Sequence, residues 1–276
     1  MFRIRLLFSN ILFTIAALKN IFLNLNYIKS IYSNKTSSPL QKHLLLNTLS
    51  NFSGPYDEWR MKRVNKMLEI FGIDFFKNAR ILELGSGFGE TGAIFAELGA
   101  NVLCLEGRQQ SVNVAKLLYR NLSNFRCEQH NLEDDFSHFG RFDLIIHFGV
   151  LYHLQEPKVN LHYCMKCSDR IILESAVVDS QDTQYCIRVS ENRSLVDQSV
   201  IGFGSRFSPF FIESVFEEAG YSVQRHFTRD LNLKGFFAYD WKHRRFARGR
   251  GHLRRFWYFS KNTGSHVKTG TVPTVS

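Results

Sequence analysis

Short apolar runs alternate with amphipathic segments along most of the chain after residue 78. This alternation predicts five strands, at residues 79–84, 101–106, 125–129, 142–148 and 170–175, of which 142–148 is continuous and apolar. Helical patterns lie between them, such as the one at residues 109–121. Strands that alternate with helices are typical of a mostly parallel sheet covered on both faces. The pattern therefore predicts a Rossmann-like, doubly wound α/β domain.

One more helix and two strands are predicted in the last third of the chain. Ser208 and Pro209 are a typical helix start, because serine caps the first turn and proline suits the first helical position. Gly220 is a typical helix stop. Strands follow at residues 221–227 and 253–259, and we expect them to end the sheet as an antiparallel hairpin.

The two ends of the chain differ from this domain. Residues 1–29 are rich in Leu, Ile and Phe, but their longest uncharged apolar run is shorter than the roughly 20 residues that a spanning helix needs. We expect an N-terminal helical extension at 1–50 that either lies on a membrane surface or packs on the domain at 51–260. The small and polar residues 261–276 predict a disordered tail.

The composition favours an intracellular protein with a full core. Of the 276 residues 44% are hydrophobic, so the domain needs neither a disulfide nor a metal to fold. The five cysteines are odd in number and scattered, which indicates a reducing compartment and a cytoplasmic location. Cys164 and Cys167 have the spacing of a metal or redox pair, but no second pair accompanies them. We therefore expect ordinary packing there and no metal site.

The formal net charge is +10, and much of the basic excess lies in residues 242–261. Aromatic residues are interleaved with the arginines and lysines of this segment, a combination that can hold phosphates and stack bases. The alternative is a solvated loop that leads into an alternating strand. The sequence leaves both interpretations open.

A glycine-rich turn follows the first strand, in the sequence Glu83-Leu84-Gly85-Ser86-Gly87-Phe88-Gly89. Glycines at this position let the backbone approach a ligand closely, so Gly85, Ser86, Gly87 and Gly89 are candidate nucleotide-binding residues. The segment 87–92 also fits the dinucleotide fingerprint of nicotinamide or flavin enzymes. The carboxylate of Glu83 suits a ligand with a cationic amino group and would be poorly placed beside a pyrophosphate.

The acid-x-Gly-x-Gly-x-Gly form of this turn resembles the first motif of the class I methyltransferases, which implies S-adenosylmethionine as cofactor. Glu106 ends the second strand, where an acid can accept hydrogen bonds from both ribose hydroxyls. The resemblance further implies that Gly107 and Arg108 border the adenine. By the same resemblance Asn131 and Leu132 reach the adenine after the third strand.

The fourth strand carries a second match. In the methyltransferases a segment like residues 142–154 passes beneath the methionine part of the cofactor, which implicates Phe148 and Gly149. The Gly-Val-Leu-Tyr-His sequence at 149–153, with Glu174 and Ser175 ending the fifth strand, looks most like the branch that contains the tRNA wobble-uridine carboxymethyl-transferring enzymes and small-molecule O-methyltransferases. The sequence Glu58-Trp59-Arg60 also echoes the wobble-uridine enzymes, and Tyr56 or Arg60 would then meet the cofactor carboxylate.

Two candidate catalytic residues follow the fourth strand. His153 is the candidate general base, because ligands of open α/β folds bind at the carboxyl edge of the sheet and imidazole suits proton transfer near neutral pH. It could instead shape the pocket wall. We expect Tyr152 to contact the cofactor or the substrate. The segment 181–207 interrupts the fold and is either a cover for the substrate or a solvated loop.

These features predict a methyltransferase whose acceptor is an oxygen of a small molecule or sugar. A tRNA base is the second acceptor considered, with either a methyl or a carboxymethyl donor. A carboxylated donor would require a cation near the transferred group. The glycine turn is also compatible with an NAD-dependent oxidoreductase and with a membrane-attached nucleotide-binding protein without catalysis.

Overall fold

A computed structural model describes residues 55–195, 197–233, 236–242 and 252–261. The predicted extension at 1–50 and the tail beyond residue 261 lie outside the described residues. So does most of the basic loop before the last strand. Within the described ranges no helix combines the length and the apolar character that crossing a membrane requires.

The molecule is organised around one eight-stranded sheet. Its strands are β1 (Arg80–Leu84), β2 (Asn101–Glu106), β3 (Phe125–Gln129), β4 (Leu144–Phe148), β5 (Arg170–Ala176), β8 (Tyr221–His226), β9 (Phe237–Ala238) and β10 (His252–Lys261). The order across the sheet is β3-β2-β1-β4-β5-β10-β8, and β9 pairs with the start of β10. The first five strands pair in parallel, as predicted.

The last long strand, β10, runs antiparallel to both of its neighbours. It inserts between β5 and β8, so that Phe256 lies opposite Glu174 on one side and His226 on the other. The predicted antiparallel hairpin is therefore confirmed. The insertion makes β10 an interior strand that lies directly beside β5.

Helices cover both faces of the sheet. They are α1 (Pro55–Phe71), α2 (Glu90–Glu97), α3 (Gln109–Leu118), α4 (Pro157–Cys167) and α5 (Pro209–Glu218). Residues of α1, α2 and α3 pack in one apolar cluster with Ile81 and Ile146, while residues of α4 and α5 pack in a second cluster with Leu82 and Ile145. Because neighbouring strand residues point to opposite faces, each strand supplies both clusters. The doubly wound prediction is confirmed.

The predicted punctuation of α5 is present in detail. The Ser208 hydroxyl accepts a hydrogen bond from the Phe211 backbone amide at 2.9 Å, and Pro209 occupies the first helical position. The helix α1 carries no such signal and is not predicted by the strand and helix pattern, which begins at residue 78. Its buried residues Trp59, Val64 and Met67 nevertheless form part of the first cluster.

Three other predictions fall on described residues. The segment 181–207 contains a two-stranded antiparallel hairpin, β6 (Cys186–Ser190) and β7 (Phe203–Phe207). Cys164 and Cys167 lie buried in the second apolar cluster, and the described part of the chain holds no group of metal-ligating side chains. In the basic segment the strand is confirmed, but Arg254 and Arg255 are buried. These two arginines therefore do not belong to a surface for phosphates or bases.

Candidate functional site

A cavity of about 470 Å³ opens at the carboxyl ends of β1, β2 and β4. It is lined by all but one of the residues that the sequence singled out: Tyr56, Arg60, Glu83, Gly85, Ser86, Gly87, Glu106, Gly107, Arg108, Asn131, Leu132, Phe148, Gly149, Tyr152 and His153. The exception is Gly89. Residues that are nearly 100 positions apart in the chain meet here because parallel strands end at the same edge of the sheet.

The glycine turn after β1 has the backbone shape that only glycine adopts without strain. Gly85, Gly87 and Gly89 all have positive φ, at 62°, 58° and 79°. A Cβ on Gly85 would lie 2.5 Å from Val150 Cγ2, so the turn also needs the space. Gly89 does not line the cavity. It precedes the first turn of α2, where a Cβ would lie 2.7 Å from the ring of Phe125, and its role is therefore packing.

Glu83 fixes this turn to the helix that follows it. Its Oε2 accepts hydrogen bonds from the Gly92 amide at 2.8 Å and from the Cys104 thiol at 3.2 Å. Burial raises the pKa of Glu83 to about 7, although these two hydrogen bonds oppose the shift. A cation brought into the cavity near this carboxyl would favour its ionised form.

Glu106 bridges the glycine turn and the loop after β2. Its two oxygens accept from the backbone amides of Gly87 at 2.9 Å and Arg108 at 3.0 Å. Burial raises the pKa of Glu106, and the two amides oppose that shift. Each carboxylate oxygen accepts one of these bonds and retains a second lone pair. The side chain can therefore still accept hydrogen bonds from the hydroxyls of a ligand.

Arg108 holds a cover over this end of the cavity. Its Nη2 donates to the carbonyl oxygens of Leu195 at 2.8 Å, Gln198 at 3.0 Å and Ser199 at 3.4 Å. We call residues 197–201, which all line the cavity, the covering segment. Gly107 leaves room for this segment, because a Cβ there would lie 2.8 Å from Val200 Cγ2. The guanidinium of Arg108 thus binds protein carbonyls at the border of the cavity.

The other two residues expected near the adenine belong to the loop after β3. The Asn131 side chain donates to Asp134 Oδ2 at 3.2 Å and accepts from the Glu133 amide at 3.3 Å. Its amide is therefore held by its own turn at the cavity wall. Leu132 is buried beside it in the second apolar cluster.

The helix α1 contributes the opposite wall. Arg60 is buried and forms ion pairs with Asp57 at 2.6 Å and Glu90 at 3.3 Å. Burial raises the pKa of Glu90, and the charge of Arg60 opposes the shift. The guanidinium also lies over the ring of Tyr56, 5.4 Å from its centre. The charge of Arg60 is thus shared with two carboxylates at the place where a ligand carboxylate was expected.

The candidate base His153 lies in a short 3₁₀ turn directly after β4. Its Nδ1 is 2.6 Å from Glu191 Oε2, and no described residue bonds to its Nε2. The Tyr152 ring lies tilted against the imidazole, with the ring centres 4.1 Å apart and the ring planes at 48°. The Tyr152 hydroxyl accepts a hydrogen bond from Arg254 at 3.0 Å, and burial raises the pKa of Tyr152. Tyr152 is therefore unsuited to act as a base.

Sequence reasoning missed a buried polar cluster on the floor of the cavity. Glu174 accepts from Arg254 at 2.9 Å, from the Tyr239 hydroxyl at 3.0 Å and from Arg63 at 3.4 Å. The two guanidiniums also flank the ring of Trp59, at 3.6 Å for Arg63 and 4.5 Å for Arg254. The available signal was Glu174, which the sequence places at the end of the fifth strand but without a partner. Its partners left no local signal, because they lie in three other parts of the chain.

Comparisons with known proteins agree on the kind of domain. Residues 56–226 match the sequence pattern of a family described as a methyltransferase domain. No match was found among curated protein sequences.

Three solved structures share the fold at low sequence identity. The N-terminal domain of EvdMO1, crystallised in the presence of SAH and D-fucose, has a TM-score of 0.57 and 20% identity over 73% of this chain and 82% of that one. The DhpI-SAH complex has a TM-score of 0.51 and 13% identity over 78% and 90% of the two chains. Magnesium protoporphyrin IX methyltransferase from Synechocystis PCC 6803, with bound SAH, has a TM-score of 0.50 and 14% identity over 87% and 95%.

Proposed function

This chain belongs to the class I methyltransferases, with S-adenosylmethionine as its cofactor, and from that premise we propose that it methylates a hydroxyl oxygen of a small molecule or sugar. The reaction moves a methyl group from sulfur to oxygen in an in-line displacement. The enzyme must align donor and acceptor and remove the hydroxyl proton. The cavity contains groups suited to each task.

The cavity fits the cofactor. Gly85 and Gly87 line the cavity with backbone atoms alone, and Glu106 would accept hydrogen bonds from the ribose hydroxyls. Gly107 and the covering segment would enclose the adenine. When bound, the cofactor supplies an electrophilic methyl group carried on a sulfonium. A cavity for S-adenosylmethionine, and not a site for a dinucleotide, is what a methyltransferase domain requires.

The choice of acceptor rests on the hydrogen bonding of the two ring nitrogens of His153. Its imidazole lines the cavity at the carboxyl end of β4, with Nδ1 held by a carboxylate and Nε2 without a protein partner among the described residues. A hydroxyl is a poor nucleophile until its proton is removed, whereas a neutral amine requires no strong base. In the proposed reaction Nε2 accepts the hydroxyl proton, and the oxygen forms the new bond to carbon.

One relative supports a sugar as acceptor. The EvdMO1 domain was crystallised in the presence of D-fucose as well as SAH, S-adenosylhomocysteine. Sugars present hydroxyl groups of the kind that a histidine base would activate. At 20% identity the two proteins share a fold, so the acceptor of this chain must be identified directly.

The test uses methyl-labelled S-adenosylmethionine and a protein-free metabolite extract as the source of acceptors. We expect transfer of label to a small molecule, which mass spectrometry then identifies as an O-methyl product. His153→Ala should lower the rate by about 10²–10⁴-fold, the usual contribution of a positioned base, with SAH affinity nearly unchanged. His162→Ala, which changes an exposed histidine on α4, is the control and should behave as the parent.

Two results would contradict the proposal. A His153→Ala protein with the rate of the parent would leave His153 as pocket wall and point to an acceptor that needs no base. Binding of SAH without any transfer of label, to small molecules or to added tRNA, would favour a nucleotide-binding protein without catalysis.

A second candidate function rests on the charge of the cavity floor. Arg63 and Arg254 both bind Glu174, so two buried cations share one buried carboxylate. A ligand that carries an additional carboxylate would balance the excess charge. This arrangement favours a carboxylated donor and carboxymethyl transfer, the reaction of the wobble-uridine branch. Mass spectrometry of the cofactor that copurifies distinguishes the two donors, because the carboxylated form is heavier.

A further inference from the structure

A buried carboxylate lies beside the candidate base and is not part of the sequence motifs. Glu191 follows β6 directly, and its side chain is only 2% exposed. One oxygen, Oε2, meets His153 Nδ1 at 2.6 Å and the Ser199 amide at 2.8 Å. The other, Oε1, accepts from Arg206 Nη1 at 3.3 Å. The backbone amide of Glu191 also donates to the Gly202 carbonyl at 2.8 Å. Glu191 is therefore hydrogen-bonded to four other residues, three through its carboxylate and one through its backbone.

The hairpin packs closely against the Glu191 carboxylate at Gly204. Gly204 of β7 lies against the carboxylate, and a Cβ there would be 2.7 Å from Oε1 and 2.4 Å from the Tyr152 carbonyl oxygen. The hairpin can therefore approach the 3₁₀ turn of His153 only because this residue is glycine. Both the carboxylate and its neighbour Tyr152 are fixed by the same contact.

Glu191 is ionised at neutral pH. Burial alone would raise its pKa, but the hydrogen bond from His153, the Ser199 amide and the charge of Arg206 together lower it. Among the described residues, the other charged or titratable groups on this side of His153 are Tyr152, whose ring lies tilted against the imidazole, and Arg254, which binds the Tyr152 hydroxyl. Neither of them contacts Nδ1.

An ionised carboxylate at hydrogen-bond distance determines which imidazole nitrogen carries the proton. A carboxylate only accepts hydrogen bonds, so Nδ1 must donate, and the proton of a neutral imidazole therefore resides there. The lone pair then belongs to Nε2. This is the nitrogen that the proposed reaction uses to accept the hydroxyl proton.

We infer that Glu191 is a positioning residue that keeps His153 in the tautomer with a basic Nε2 and stabilises the imidazolium formed when the proton is taken up. The inference rests on the proposed function of His153 as base. It also ties the base to the covering segment, because the same carboxylate oxygen that meets Nδ1 accepts from Ser199. The position of that segment and the alignment of the base therefore depend on the same carboxylate oxygen.

The direct test is nitrogen NMR of the histidine rings in the SAH-saturated protein. The His153 signals are assigned by their loss in His153→Gln. In the parent at alkaline pH we expect a protonated Nδ1 and an unprotonated Nε2. Glu191→Ala removes the acceptor, so His153 should shift toward the Nε2-protonated tautomer, which free histidine prefers. The methyl-transfer rate of Glu191→Ala should be at least tenfold lower than that of the parent, but not lower than that of His153→Ala.

A second variant and a control separate positioning from mere support of the hairpin. Glu191→Gln keeps the size of the side chain and removes its charge, so the midpoint of the pH–rate curve should move to lower pH. The control is Glu156→Gln. It breaks an exposed ion pair of 2.8 Å between Glu156 and Arg188, which belongs to the same hairpin as Glu191. It should leave the tautomer, the rate and the pH midpoint unchanged.

The outcomes distinguish this inference from the proposed function. If Glu191→Ala and Glu191→Gln keep the tautomer and pH midpoint of the parent while His153→Ala is inactive, the positioning role is wrong and the base is retained. If Glu191→Ala does not fold, the pH midpoint of Glu191→Gln decides by itself. If His153→Ala is fully active, the proposed function fails, whereas the tautomer measurement still tests the effect of Glu191 on the imidazole.

Discussion

Arg254 and Glu174 form a buried ion pair, 2.9 Å long, between the antiparallel strands β10 and β5. Neither side chain is more than 5% exposed. The same carboxylate also accepts from Arg63 of α1 and from the Tyr239 hydroxyl. One glutamate therefore joins a helix, two strands and the segment before the last strand at the floor of the cofactor cavity.

Glu174→Gln should destabilise the domain strongly. It leaves two buried guanidiniums without a charged partner, and breaking a buried ion pair in this way costs about 3–5 kcal/mol. Urea unfolding measures the loss. The matched control is Asp169→Asn, which removes the partly exposed ion pair with Arg141 and should have a far smaller effect. A Glu174→Gln protein as stable as the control would show that the two arginines do not depend on this carboxylate.

Gly107→Ala should weaken cofactor binding through the covering segment. The new Cβ would lie 2.8 Å from Val200 Cγ2, so the segment has to move away from the cavity. Overpacking of this kind costs about 1–3 kcal/mol, which corresponds to a loss of roughly 5- to 150-fold in SAH affinity. Calorimetry of SAH binding measures it. The double variant Gly107→Ala with Val200→Ala removes the clash and should recover most of the affinity. Without that recovery, the segment does not cover the bound cofactor.

Glu83 should make the stability of the cofactor-free protein fall with rising pH. Its pKa is about 7 in the folded protein and near 4.5 in an unfolded chain, so between these values the folded state binds more protons. The free energy of unfolding therefore decreases as pH rises through this range. In Glu83→Gln the side chain at this position does not titrate, so the variant should lack this part of the pH dependence. Urea unfolding at pH 5 and pH 7.5 compares the two proteins, and parallel pH profiles would contradict the prediction.

SAH binding should release protons near pH 6.5. If the ligand amino group lies near Glu83, its positive charge favours the ionised carboxyl and lowers the pKa from about 7. Calorimetry in two buffers of different ionisation enthalpy measures the number of protons released. Glu83→Gln should release fewer. If the parent and Glu83→Gln release the same number of protons, Glu83 does not lie near the amino group of the ligand.

Glu106→Ala should bind SAH at least tenfold more weakly than the parent. The change removes the expected acceptor of the ribose hydroxyls, and a hydrogen bond to a charged group contributes about 1.5–3 kcal/mol. Thermal unfolding with and without SAH reports the loss as a smaller stabilisation by the ligand. Glu97→Ala, at the exposed end of α2, is the control and should be stabilised as much as the parent. Undiminished binding by Glu106→Ala would show that the ribose lies elsewhere.

Local sequence determined most of the scaffold of the site. The apolar runs at β1 and β2 matched their strands closely, because a strand buried on both faces reads as a nearly continuous apolar segment. The glycine turn was recognisable for a similar reason, since its backbone conformation is a property of a few adjacent residues. Parallel strands end at one edge, so the predicted residues at those ends had to meet in one cavity.

Only the tertiary structure decided how the charged side chains pair within that cavity. Arg254 reaches Glu174 because β10 inserts beside β5, and Glu191 reaches His153 because the hairpin folds over the 3₁₀ turn. Arg108 lines the cavity, but its guanidinium turns to the carbonyls of Leu195 and Gln198. Such pairs lie 38 to 90 positions apart. No local preference determines them, since burial of a charge is compensated by whichever partner the completed fold brings within a few ångströms.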